Sequence, residues 1–270
     1  MANKMFFIDL DGTTLRDDKS IPEENIAAIR EMVEMGNYVA ISTGRSAVSA
    51  RPIAAQLQME CKGCFLITYN GALIYDLSDG TCLRDLRLPP EYASYVLREA
   101  KKAGIHAQAY SDTHVLTEQE NREVQEYCRI TNMPYQIVED LSERTDISTP
   151  KVLLADFHDH EKLAKFQRDH KEWEKDRCVS FFSCPEYMEY SSLGATKASG
   201  IAFFEEYFSL RHEDTIAIGD EQNDVSMIRY AGIGAVMKNA ASEVKTYADY
   251  VTERDNNSGG VAEVMRRFGL

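Results

Sequence analysis

At 270 residues and 30.6 kDa, with 44% apolar and 27% charged residues, the chain has the composition of a globular protein long enough for one large domain or two ordinary ones. A formal charge of −14 with no basic cluster argues against nucleic acid or an anionic membrane as partner, so an anionic substrate would need positive charge concentrated locally by a metal and a few cations. No apolar run approaches the roughly 20 residues of a membrane span, and Met-Ala-Asn-Lys lacks a signal-peptide pattern, so a cytoplasmic location is expected.

In chain order, Met5-Phe6-Phe7-Ile8 is too short for a useful helix and reads as a buried, parallel strand that ends in Asp9-Leu10-Asp11-Gly12-Thr13. Two acids at i and i+2 on a strand tip have a chemical use. Asp9 can face the crevice as nucleophile and metal ligand, while the turn brings Asp11 to the other side of the reacting group, where it handles the proton. On these residues alone, a polar turn closing the strand is the alternative.

Ser20-Ile21-Pro22-Glu23 predicts a capping box opening a helix, with Ile26, Ile29 and Val33 at helical spacing and Gly36 as its stop. The strand over 38–42 then runs into Thr43-Gly44-Arg45, where a hydroxyl and a backbone N–H could meet a phosphoryl oxygen. Strand, helix, strand from the first residues argues for right-handed βαβ units and a parallel sheet. A helix over 48–59 follows, then a strand over 65–69 that ends in Asn70-Gly71. Segments 73–75 and 82–88 around Asp79-Gly80 read as an antiparallel excursion.

At Pro89-Pro90 the texture changes. Helices over 91–103, 121–131 and 161–175 alternate with short strands up to about 190, an α+β pattern without an acid-rich strand tip, as expected of a domain that covers a site without performing the reaction. His158-Asp159-His160 reads as a solvated loop rather than a metal site. The six cysteines are scattered, and Cys61-Lys62-Gly63-Cys64 has no second pair to complete a zinc site, so all six read as ordinary thiols, with a redox or metal role as the alternative.

The parallel pattern resumes with Thr196-Lys197-Ala198-Ser199, which opens an amphipathic helix and leaves Lys197 in its first turn. A cation is misplaced there unless it serves an anion; a tolerated surface lysine is the alternative. The apolar run 215–218 ends in Gly219-Asp220-Glu221-Gln222-Asn223-Asp224. Carboxylates crowded at a buried strand tip repel and raise each other's pKa unless a cation holds them, and with the first tip they argue for a functional site. The chain closes with Gly234-Ala235-Val236-Met237, a helix over 241–248, a strand over 250–252 and a helix after Gly259-Gly260.

Asp9-Leu10-Asp11-Gly12-Thr13, Ser42-Thr43-Gly44-Arg45, Lys197 and Gly219-Asp220-Glu221-Gln222-Asn223-Asp224 resemble the four ordered motifs of the haloacid dehalogenase-like superfamily. The long insertion between the second and third motifs, with Asn70-Gly71-Ala72 and Lys238-Asn239-Ala240, is similar to its Cof-type phosphatases; Ala198 departs from the glycine they commonly carry after the lysine. The resemblance implies an α/β fold: a Rossmann-like three-layer core with a parallel sheet over 1–84 and 190–270, and an inserted α+β cap over 85–189. It implies Mg²⁺ held by the Asp9 and Asp220 carboxylates and the Asp11 backbone carbonyl, with Asp9 forming an aspartyl-phosphate and Asp11 acting as acid and then base. Thr43, the Gly44 N–H and Lys197 would bind phosphoryl oxygens, Asn223 and Asp224 would orient Lys197, metal waters or Asp220, and Arg45 would do likewise or reach the substrate, as Asn223 also could.

The expected function is that of a Mg²⁺-dependent phosphatase of small phosphomonoesters, either sugar phosphates or a phosphorylated cofactor such as pyridoxal phosphate. A sugar-phosphate phosphomutase and a catalytically silent phosphate-binding regulator are the alternatives. The expected partner is a small phosphate ester, with no nucleic acid or membrane, and the expected state is a monomer or homodimer. The leaving group would be read by the cap, where no motif ranks the candidates.

Overall fold

The computed structural model describes residues 3–144 and 146–269. Its contacts divide the chain into one unit that runs up to Arg84 and resumes at Thr196, and a second over Asp85–Ala195.

The first unit opens with β1 (Met5–Ile8), α1 (Glu23–Glu34), β2 (Tyr38–Ser42), α2 (Ala47–Gln56), β3 (Cys64–Thr68), β4 (Leu73–Asp76) and β5 (Cys82–Asp85). The second contains α3 (Pro90–Lys102), β6 (His106–Tyr110), β7 (Val115–Thr117), α4 (Arg122–Thr131), β8 (Tyr135–Ile137), β9 (Lys151–Ala155), α5 (His160–Glu174), β10 (Cys178–Cys184) and β11 (Tyr187–Ser192). The first unit then resumes with α6 (Lys197–Phe208), β12 (Thr215–Gly219), α7 (Val225–Tyr230), β13 (Ile233–Val236), α8 (Ser242–Lys245), β14 (Tyr250–Val251) and α9 (Gly260–Phe268).

The eight-stranded sheet of the first unit has the order β14-β13-β12-β1-β2-β3-β4-β5. It is parallel from β14 to β3, and β4 returns antiparallel along β3. Every residue of β1 is buried, as a central strand covered on both faces requires. Phe6 and Ile8 join the α1, α2 and α9 side of the core through Ile29, Ala54 and Met265, while Met5 and Phe7 join the α6 and α7 side through Ile201, Phe204 and Met227. Each such side chain contributes about 1.5–3 kcal/mol on burial, so alternating faces along one strand glue three layers together. From β1 the chain moves outward through β2 and β3 in one direction, and from β12 through β13 and β14 in the other. The carboxyl ends of β1 and β12 therefore flank the switch point where open α/β sheets form a ligand crevice.

The capping box expected at Ser20 does not form. The helix begins at Glu23 with Pro22 as its N-cap, and the Ser20 hydroxyl instead donates to Asp18 Oδ1 at 2.6 Å. Proline fixes its own φ and so sets the helix entry without a side-chain cap. Ser46 caps α2, and Thr196 with Ser199 forms a reciprocal capping box on α6.

The second unit's six-stranded sheet has the order β10-β11-β9-β6-β7-β8 and is antiparallel except for the β7–β8 pair. Helices α3 and α5 pack one face through Val96, Leu97, Leu163 and Phe166 against Val152, Leu154, Met188 and Tyr190. Because β11 pairs with β9 through Ser191, this unit extends past residue 190. No described helix is long and apolar enough to cross a membrane.

Candidate active site

Lys197 organises the crevice. It lies in the first turn of α6, is 1% exposed, and its Nζ donates to Asp9 Oδ1 at 2.6 Å and to Asp224 Oδ1 at 2.5 Å. The tolerated-surface alternative for this lysine is thereby removed. Close packing puts it there: Gly71, at φ +104°, leaves the space in which a Cβ would come 2.2 Å from the Thr196 carbonyl oxygen. A side chain at position 71 would push the start of α6 away from the strand tips. Burial works against the Lys197 charge, but Asp224 and then Asp9 outweigh it, and the ammonium is held above its ordinary pKa.

Asp9 follows β1, and its backbone N–H donates to Ile218 on the neighbouring β12 at 3.0 Å. That ladder bond fixes its position relative to Asp220, which follows β12. One carboxylate oxygen from each of Asp9, Asp220 and Asp224 lies within 4.8 Å of the others, and all three residues are buried. Burial, then Asp224 and Asp220, push the Asp9 carboxyl well above its usual range despite Lys197. Burial and the neighbouring Asp224 and Glu221 raise Asp220 to about 7, although the Thr13 hydroxyl donates to its Oδ1 at 2.6 Å. The donor set is all oxygen and short of positive charge, which suits a hard divalent cation.

Of these three, Asp224 is already committed. Its Oδ1 receives Lys197, and its Oδ2 accepts the backbone N–H groups of Asp220 and Glu221 at 2.9 and 3.0 Å. It orients the lysine and ties down the β12 tip, leaving Asp9 and Asp220 as the carboxylates available to a metal. Gly12 makes room for them: at φ +75°, a Cβ there would lie 2.2 Å from Asp220 Oδ2.

Asp11 points elsewhere. Arg45 grips it with Nε on Oδ2 and Nη2 on Oδ1, both at 2.7 Å, and Lys19 reaches Oδ1 at 2.9 Å. Burial opposes ionisation, but Arg45 and then Lys19 outweigh it and hold the Asp11 pKa at about 2. Of the two roles open to Arg45 from sequence, the structure occupies it with Asp11 and, through Nη1, the Ser49 hydroxyl at 3.2 Å.

Thr43 is buried at the β2 tip and accepts the Arg45 N–H on Oγ1 at 3.2 Å. Gly44 lies against Asn70, whose side-chain oxygen would be 3.2 Å from a Cβ there. Asn70, in the left-handed region, donates its backbone N–H to the Thr43 carbonyl at 3.0 Å and carries a buried Oδ1 with no partner among the described residues. Asn223 is half-buried in the turn before α7.

Sequence reasoning assigned no role to Thr13, Lys19, Asn70 or Asn239. The Asn239 amide supports the loop after β1 by donating to the Gly12 carbonyl at 2.8 Å. The motif strings contained three of these four residues, but their partners are remote in sequence, and nothing marked Lys19. His160, from the solvated loop, bonds the Pro185 carbonyl through Nδ1 at 2.7 Å, and Asp159 caps α5.

A doubly wound sheet that buries carboxylates and a lysine at its switch point is an α/β arrangement with a ligand crevice whose acids could hold a metal ion. Over residues 6–265 the chain matches the family described as haloacid dehalogenase-like hydrolase, and it belongs to that family. It is 32% identical over 269 residues, 99% of this chain and 96% of the relative, to the 5-amino-6-(5-phospho-D-ribitylamino)uracil phosphatase YcsE of Bacillus subtilis. To the HMP-PP phosphatase of Serratia proteamaculans it is 31% identical over 242 residues, 88% of this chain and 85% of that one. The crystal structure of a haloacid dehalogenase-like hydrolase from Bacteroides thetaiotaomicron superposes with a TM-score of 0.89 at 28% identity, covering 98% of this chain and 99% of the other. Within the family, this protein is a phosphatase.

Proposed function

We propose that the protein is a cytoplasmic, Mg²⁺-dependent phosphatase of small phosphomonoesters, of the sugar phosphate or pyridoxal phosphate class, acting through an aspartyl-phosphate on Asp9. One observation carries the reading: a buried lysine joins the first and last strand-tip acids, Asp9 and Asp224, beside a third, Asp220, whose charge it does not balance. The curated relatives support the substrate class, since both are named for phosphorylated small molecules.

Asp9 and Asp220, with the Asp11 backbone carbonyl, would hold the metal, which when bound offsets the repulsion between the Asp9 carboxylate and an anionic phosphate. Asp9 attacks phosphorus and the ester oxygen leaves. Lys197, Thr43 and the Gly44 N–H take the equatorial oxygens, where charge spreads in the transition state. Asp224 keeps Lys197 aimed at them. Asp11 is held here as a carboxylate, the form that takes a proton from the water attacking the aspartyl-phosphate. To protonate the leaving oxygen in the first step, it must loosen from Arg45 and take up a proton as substrate arrives. We assign selection of the leaving group to the second unit, residues 85–195.

The test is phosphate release from a panel of sugar phosphates, nucleotides and pyridoxal phosphate, with Mg²⁺ and with EDTA, for the wild type and Asp9→Asn. Turnover that needs Mg²⁺ and is abolished in a folded Asp9→Asn variant is expected. Near-normal activity in that variant would overturn the covalent mechanism, and full activity in EDTA would overturn the metal dependence.

A further inference from the structure

The one CxxC of the sequence, Cys61-Lys62-Gly63-Cys64, is left unused by the acid–lysine site. In the structure the Cys61 and Cys64 sulfurs lie 3.6 Å apart, Cys61 donating its S–H to Cys64, and neither is in a disulfide. A disulfide bond spans about 2.05 Å, so closure calls for a shift of roughly 1.5 Å, within the reach of side-chain rotation and a small turn adjustment.

The local backbone favours this approach. Cys61 sits in the turn between α2 and β3, Cys64 is the first residue of β3, and the Cys64 N–H returns to the Cys61 carbonyl at 3.2 Å. Gly63, at φ +90°, lets the chain double back, and a Cβ there would meet nothing nearer than 3.6 Å, so the turn is not jammed. The two thiols differ in access: Cys61 is half-buried at the surface, whereas Cys64 is fully buried among the core residues around Val39 and Leu57.

We propose that Cys61 and Cys64 form a redox-active dithiol that a low-molecular-weight disulfide such as glutathione disulfide oxidises to an intramolecular disulfide. The accessible Cys61 attacks first: its thiolate bonds to one glutathione sulfur and expels the other glutathione as a thiolate. The Cys64 sulfur then attacks Cys61 Sγ and releases the second glutathione, which takes up the Cys64 proton. The protein loses two protons and two electrons, and one glutathione disulfide becomes two glutathione thiols. Burial, then the neighbouring Cys61, push the Cys64 thiol up, which fits Cys64 as the resolving rather than the attacking sulfur. The pair lies at the opposite end of β3 from Asn70 and the Thr43 loop, so oxidation leaves turnover unchanged. A ring this small restrains little of the unfolded chain, so the pair is a site of thiol chemistry rather than a structural staple.

Trypsin cleaves after Lys62, between the two cysteines, giving peptides 46–62 and 63–84; the second also contains Cys82. The experiment therefore uses the full-length Cys82→Ser protein. It is incubated with glutathione disulfide, quenched in acid, alkylated, digested and analysed by mass spectrometry. The expected result is a covalent 46–62/63–84 pair, an intact mass lower by two hydrogens, and reversal by dithiothreitol. Adding Cys64→Ala should replace the cross-link with a lasting glutathione adduct on Cys61. Full alkylation of both cysteines after oxidation would overturn the proposal, and so would a glutathione adduct that persists on Cys61 while Cys64 is present. The result for the Cys82→Ser protein decides the matter even if the Cys64→Ala protein does not fold.

Discussion

Each unit of the molecule buries a lysine, and the two lysines sit in opposite electrostatic situations. Lys151, 2% exposed at the start of β9, donates to Glu189 Oε1 on β11 at 2.8 Å, with the rings of Tyr110 and Tyr127 at 5.3 and 6.0 Å. One cation faces one anion, and the desolvation of both is offset locally. Lys197 faces Asp9 and Asp224 with Asp220 alongside, so the cluster stays anionic after its lysine is counted. In both places burial opposes the ammonium and the carboxylates outweigh it, so neither residue type nor depth tells the two apart. The charge balance does. A buried pair carries no surplus charge, whereas a surplus of buried carboxylates at a strand-tip crevice asks for another cation, and that difference is what points to chemistry at one site and not at the other.

The most direct way to break this comparison is to remove each lysine. Lys197→Met should lower kcat on the best phosphate ester by about 10²–10³-fold or more, because it deletes a donor aimed at developing charge. A two-fold loss would place Lys197 in the same class as Lys151. For Lys151→Met the large effect should be on folding, since a stranded Glu189 costs about 3–5 kcal/mol of stability, read from the urea midpoint. Lys151→Met/Glu189→Leu should recover most of it; a double variant as unstable as the single would show that the balance of charge is not what matters there.

Two smaller effects sharpen the contrast. Gly12→Ala puts a Cβ against the Asp220 carboxylate, so the Mg²⁺ concentration for half-maximal activity should rise about 10–100-fold, while substitutions around Lys151 should leave it unmoved. In the second unit, His106 accepts from Asn121 on Nδ1 at 2.9 Å and, on that tautomer, donates through Nε2 to Gln108 Oε1 at 3.2 Å; Gln108 donates onward to Tyr110 at 2.8 Å. Burial lowers its pKa more than the Gln108 bond raises it. With the folded value depressed, the unfolded chain binds the extra proton first. Stability therefore falls as pH drops through the ordinary histidine value of about 6.5 and levels off below the folded value. His106→Gln should flatten the difference between urea midpoints at neutral and mildly acidic pH, and an unchanged difference would assign that slope to other groups.

Much of the fold was legible because its signals are local. Short apolar runs at β1, β2 and β12, a periodic α1 and the Pro89-Pro90 break need only neighbours in sequence to be seen. The failed Ser20 capping box is also local, a case of proline overriding a weaker side-chain signal. In the site, Asp9, Asp11, Lys197 and Asp220 stood out because carboxylates crowd at two strand tips and a lysine sits in the first turn of a helix, placements that are costly unless a counter-charge serves them.

Their arrangement could not be read the same way. Thr13 meets Asp220 across 207 residues and Asn239 meets Gly12 across 227, and no periodicity encodes such pairings. By itself the sequence determined the class of fold, the strand tips that carry acids, and the chemistry those residue types allow. Tertiary structure alone decided which acids remain available: it spent Asp224 on Lys197 and bound Arg45 to Asp11. The physical reason is that a side chain's type is local information, whereas its partner, its burial and the local balance of charge are set by segments that meet only when the sheet closes its order.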